Sequence, residues 1–132
     1  MDEDRTYSLG RAFIFIGSIS AFLAVLLGAF GAHGLKAKLS TEMFAVYETG
    51  FDYHILHSIG LILVGIIAQW IAHSRLILWA GLLLCSGILL FSGSLYALSV
   101  TEIRWLGAIT PFGGLCFVAG WLVLGVAALK RQ

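Results

Sequence analysis

Four apolar stretches dictate what this chain can become. Ala12–Ala32, Ile55–Ala72, Leu76–Val100 and Trp105–Leu129 each reach or approach the ~20 residues that carry an α-helix across a bilayer core. In hydrocarbon the backbone must satisfy its own polar groups, so stretches of this length fold as helices. Arg75 separates the second from the third, and Glu102 with Arg104 separates the third from the fourth. With 60% of 132 residues hydrophobic and 11% charged, little chain remains for a soluble domain. The expected fold is an all-α integral membrane protein with one domain over residues 1–132. It is an antiparallel bundle of four transmembrane helices, with spans at about 12–33, 52–72, 76–99 and 105–129 by the same length rule and a short amphipathic helix in the first outer loop. The first stretch is not read as a cleaved leader. It is about twice the usual signal core and follows the acidic run Asp2, Glu3, Asp4.

Positive charge orients such a bundle. One end holds Arg5, Arg11, Arg75, Lys130 and Arg131, against Lys36, Lys38 and Arg104 at the other. The expectation is a multi-pass protein of the plasma (inner) membrane with both termini cytoplasmic. Trp70 and Trp79 flank the inner loop, while Tyr53, Tyr96 and Trp105 mark the outer edge. A net charge of +1 with no basic patch gives no nucleic-acid partner. Ser20, Ala24, Gly28 and Ala32 recur every four residues on the first span, a ladder that lets another backbone come close. The same ladder suits oligomer contacts, so the expected partners are the lipid bilayer and either a homo-oligomer or a larger membrane complex. Cys85 and Cys116 lie inside apolar spans without metal spacing and read as packing residues.

The first outer loop carries a helical pattern of its own. Ser40 or Thr41 can cap a helix, and Phe44, Tyr47 and Phe51 recur at helical spacing. The segment is either an interfacial helix or an extension of the second span, with Gly50 as the hinge between them.

The polar residues gather at one end. In an antiparallel bundle His33, then His54 with His57, then Ser92, Ser94 and Tyr96, then Thr110 and Pro111 all fall within roughly 10 Å of the outer edge. Ionisable groups at such depth face a bundle interior or a wet cavity. These eight positions form the candidate ligand-binding set. Each also has a plainer reading. His33 can bond the last carbonyls of a helix, His54 can sit at the interface, and His57 can bond Ser92 or Ser94. His54 and His57 share a helix face, and with His33 they would make a three-nitrogen metal site, so a divalent metal is the cofactor these residues suit. Glu48 and Asp52 lie off that face. Pro111 should kink the fourth span against the carbonyl of Gly107 and expose carbonyls beside the histidines. No GxSxG, HExxH or phosphate-loop pattern occurs, so no catalytic residue is assigned and no cofactor is required.

The segments GAFGAHGLK at 28–36, YETGFDYHILH at 47–57, LFSGSLY at 90–96 and LGAITPFGG at 106–114 occur in that order. In this the chain resembles the YgdD/YwdK-like small inner-membrane family, over nearly its whole length. The resemblance implies four spans in a compact bundle and brings no established substrate or catalytic residue. Two functions follow from the residues. One is binding or transport of a small ligand, ion or metal at an outward-facing polar pocket. The other is a structural or accessory subunit whose polar cluster only holds the bundle together.

Overall fold

The computed structural model describes residues 3–71 and 75–130. Helix α1 (Glu3–Phe30) runs directly into a π turn at Gly31–Leu35, closed by the Lys36 N–H donating to the Gly31 carbonyl at 2.9 Å. Ser40 then caps α2 (Thr41–Ile67), its Oγ accepting from the Met43 N–H at 3.1 Å. Helix α3 (Arg75–Gly87) passes through a second π turn, Ile88–Ser92, into α4 (Gly93–Thr101). Glu102, with φ of 56°, ends α4 in the left-handed conformation. A 3₁₀ segment at Arg104–Ala108 leads into α5 (Thr110–Leu129). The described residues form no strand.

Four helical segments are long and apolar enough to cross a membrane: Asp4–Leu35, Thr41–Ile67, Arg75–Thr101 and Arg104–Leu129. At 26 to 32 residues they exceed the hydrocarbon thickness, so they tilt or project beyond it. The second span is the most buried of the four and the first is the least. α1 packs along α2, α3 along α5, and α4 with its π turn against α2. The core between them is built from Phe13, Leu61, Val64, Ile77, Leu84 and Phe117.

Two sequence expectations take a different form here. The amphipathic segment is helical but is the first part of α2, because nothing interrupts the hydrogen-bond ladder at Gly50. Gly50 is a contact point instead, buried against Leu95 and the Ser92 carbonyl. Pro111 does not kink a helix; it lies in the first turn of α5, where a missing N–H leaves no carbonyl unpaired. The fourth span is already broken before it, by the 3₁₀ segment.

Small residues set the seam between α1 and α2. A Cβ on Gly65 would lie 2.5 Å from the Gly10 carbonyl oxygen, and one on Gly10 would lie 2.7 Å from that of Gly65. Backbones therefore touch, as small-residue packing in lipid allows. Further along, Ser20 and Ala24 face α2, whereas Ala32 is exposed. At 3.6 residues per turn Gly31 lies about 20° round the helix from Ser20 and Ala32 about 120°, so Gly31 rather than Ala32 takes the inward place, against the ring of Tyr47.

Candidate functional site

The polar residues of α1, α2 and α4 meet in one hydrogen-bonded chain. His54 lies midway down α2 and its ring reaches out in two directions. Nε2 is 3.1 Å from Ser20 Oγ on α1, and Nδ1 is 3.0 Å from the Tyr96 hydroxyl on α4. Ser20 Oγ is also 2.6 Å from Ser58 Oγ, and Ser58 donates to the His54 carbonyl at 2.7 Å. His54 and Ser58 stand four residues apart and so share a face of α2.

The protons of this chain can be placed one by one, because a hydroxyl has one hydrogen and a carbonyl has none. Ser58 gives its proton to the His54 carbonyl. The short Ser20–Ser58 contact therefore carries the Ser20 proton. Ser20 Oγ must then accept from His54 Nε2–H, and His54 Nδ1 accepts from Tyr96 O–H. With a neutral imidazole every contact carries one proton. The chain starts at Tyr96 of α4 and ends on the His54 carbonyl of α2. It ties three helices together and offers no exit for a proton.

His57 has the opposite arrangement. Its Nδ1 donates to the Tyr53 carbonyl at 2.7 Å, and only the protonated nitrogen can donate there. The ring lies flat on Phe117, with centroids 3.5 Å apart and planes 12° apart. Tyr53 stacks beyond it at 5.8 Å, and Trp121 closes the other side at 6.0 Å. This aromatic group joins α2 to α5. The bond to Ser92 or Ser94 read from sequence is replaced by one to the backbone.

The remaining predicted positions separate. Ser94 donates to the Phe91 carbonyl at 2.9 Å and takes a proton from Thr110 Oγ1 at 2.7 Å, pinning α5 to α4. Pro111 is exposed beside this pair. His33 is exposed in the first π turn, whose inward residues are Gly31 and Leu35. Its position between them turns it away from His54 and His57. Among the described residues no three of His, Cys, Asp or Glu come together to hold a metal ion, so the set His33, His54, His57 is not assembled. Asp52 is exposed, off the face that carries His57, as the helical step implies.

Ser92 stands apart from all of these. It is 1% exposed and its Oγ has no hydrogen-bond partner. In an α-helix a serine can bond back to the carbonyl four residues earlier. Here that carbonyl belongs to Ile88 and accepts the Gly93 N–H across the π turn, but not the Ser92 hydroxyl. Ser92 lies beneath a groove of about 540 Å³ between the first and third spans. Leu23 and Leu27 of α1 form one wall, Cys85 and Leu89 the other, and Leu61 of α2 lies at the base. Ser20, His54, Ser92 and Tyr96 are its polar residues, and three of those four are engaged in the chain described above.

Ser20, Ser58 and Tyr47 were not legible as site residues. Tyr47 donates to the Leu27 carbonyl at 2.6 Å and packs on Tyr96 at 5.0 Å. Ser20 read as one rung of the small-residue ladder. The available signal for Ser58 was its i+4 spacing from His54.

Comparison with known proteins agrees with this architecture. A family model described as "Protein of unknown function (DUF423)" matches residues 27–114, which include every candidate position. The UPF0382 membrane protein YwdK of Bacillus subtilis is 49% identical over 120 residues, covering 91% of this chain and 98% of the relative. A UPF0382 membrane protein of Staphylococcus epidermidis is 48% identical, covering 91% and 97%, and one of Staphylococcus aureus is 42% identical over the same shares. No solved structure matches. With a family model over most of its length and relatives matched almost end to end, this four-helix membrane protein belongs to the DUF423 family.

Proposed function

We propose that the protein is a membrane-embedded binding protein whose ligand is a lipophilic molecule lying in the groove between the first and third spans. The observation that carries this reading is the groove with Ser92 beneath it. A volume of about 540 Å³ falls within the ~300–1,000 Å³ of small-molecule sites. Its walls are hydrocarbon, and the side chains at its rim, Leu23 and Leu89, are exposed toward the bilayer. An acyl or isoprenoid chain suits these walls; a hydrated ion does not. Ser92 Oγ is a buried group without a partner, which ordinarily costs about 1–3 kcal/mol. In the proposed complex the Ser92 hydroxyl, which lines the groove, donates to an ester or carbonyl oxygen on the ligand.

Cys85 provides the test, since it lies in the groove wall and is a free thiol. In a Cys116→Ser background a lipophilic maleimide reports on Cys85 alone. Photoreactive lipid with a tail diazirine should label residues 16–27 and 85–96 ahead of the other spans, and Cys85 blockage should abolish that preference. Uniform labelling of all four helices, unaffected by blockage, would show only bulk lipid and reject the reading.

The accessory-subunit alternative draws on a separate observation: the Tyr96–His54–Ser20–Ser58 chain is closed on itself. Crosslinking in native membranes that traps a constant protein partner, with no preferential lipid labelling, supports that alternative.

A further inference from the structure

At the end of the bundle opposite the π turn of α1, two arginines from different helices share one cavity. Arg5 on α1 and Arg75 at the start of α3 both line a cleft of about 620 Å³, together with Ser8 and Trp79. No carboxylate is among the described residues lining it. Neither guanidinium forms an ion pair with a described residue. Two like charges lining one cleft repel each other, and that repulsion is relieved by an anion between them.

The depth of the cleft narrows the kind of anion. Arg5 and Arg75 stand at the first residues of their spans, Asp4–Leu35 and Arg75–Thr101. Leu9 and Leu78 follow in the same cleft, about one turn deeper at 1.5 Å rise per residue. Trp79 and Trp70, 57% and 82% exposed, lie at this same end, where tryptophans mark the headgroup level. The cleft thus presents charge at headgroup depth and hydrocarbon directly beneath it. Guanidinium groups offer paired N–H donors that match phosphate oxygens, and the Ser8 hydroxyl adds a further donor.

We propose that Arg5 and Arg75 hold the phosphate of an anionic membrane lipid in the cleft between α1 and α3. The site is distinct from the Ser92 groove. The two share no lining residue, and the ring of Phe13 packs on Gly81 at a position along α1 and α3 between their linings. The proposal does not depend on the groove having a ligand.

The experiment uses the full chain in detergent, with thermal stability and native mass spectrometry as readouts. Probes are phosphatidylglycerol, phosphatidylcholine and inorganic phosphate, each added at equal concentration. Phosphatidylglycerol should raise the melting temperature and remain bound, while phosphatidylcholine does so weakly and phosphate not at all. Arg5→Gln and Arg75→Gln should each weaken phosphatidylglycerol retention about tenfold, the scale of one lost charge-assisted pair. Lys130→Gln removes a charge from the same end without touching the cleft and should change retention little. Equal losses in all three variants would reduce the effect to diffuse attraction and overturn the site. A full response to inorganic phosphate would overturn the lipid assignment in favour of a free anion. Unchanged binding in an Arg5→Gln/Arg75→Gln protein that still melts cooperatively would overturn both.

Discussion

The proton order in the His54 chain can be tested by removing one hydroxyl. Ser20→Ala deletes the acceptor for His54 Nε2–H and the donor to Ser58, two bonds across the α1–α2 seam. Interhelical hydrogen bonds in membranes average about 0.6 kcal/mol and reach about 1.7. A ring N–H left buried without an acceptor adds a desolvation cost, so the total should be about 1–3 kcal/mol. The ring has one escape. If its proton moves from Nε2 to Nδ1, it donates to the Tyr96 oxygen at the price of turning the tyrosine proton elsewhere. Ser20→Ala should therefore switch the tautomer of His54. Tyr96→Phe removes one bond and leaves only an unused lone pair, so it should cost less and keep the Nε2–H form. Four histidines occur in the sequence, and replacing His33 and His73 by glutamine leaves the two of interest. Nitrogen NMR of labelled histidine then separates bare from protonated ring nitrogens. His54 should show a bare Nδ1 and His57 a bare Nε2. A bare Nε2 on His54 in the unaltered protein, or no switch on loss of Ser20, would refute the deduced order.

Two packing predictions follow from the glycine contacts. Gly65→Ala meets the Gly10 carbonyl and the Ile14 amide, neither of which is a flexible side chain, so it should cost about 1–3 kcal/mol in reversible denaturation. Gly125→Ala meets nothing within 4 Å and should stay within about 0.5 kcal/mol of the parent; equal effects would mean the close α1–α2 seam is wrong. Gly81→Ala strikes the ring of Phe13 and should lower the melting temperature, with partial recovery in Gly81→Ala/Phe13→Leu. A double variant no more stable than the single one would show that Phe13 is not what the new methyl meets.

Much of the fold was legible because its cause is local. A run of apolar residues such as Leu76–Val100 must be helical wherever its neighbours lie, and Ser40 caps α2 by its own hydroxyl. The gathering of Ser94 with Thr110, and of His54 with Tyr96, was likewise implied by antiparallel spans with polar residues at matching depth. The errors came where depth says nothing about direction. His33 has the right height but the wrong side, because its neighbours Gly31 and Leu35 take the inward face of the π turn. Pro111 looked like a mid-span kink because the 3₁₀ segment before it has no sequence signature distinct from helix.

Sequence alone thus determined the number of spans and the end of the bundle where polar groups collect, since backbone desolvation and helical rise act along the chain. Tertiary structure decided how each helix is rotated about its axis. That rotation, set by glycine contacts and two π turns, made Ser20 the partner of His54 and left Ser92 without one. It also brought Arg5 to Arg75 across seventy positions of chain. Such pairings depend on which side chains interlock between helices, and no periodicity within one helix encodes them.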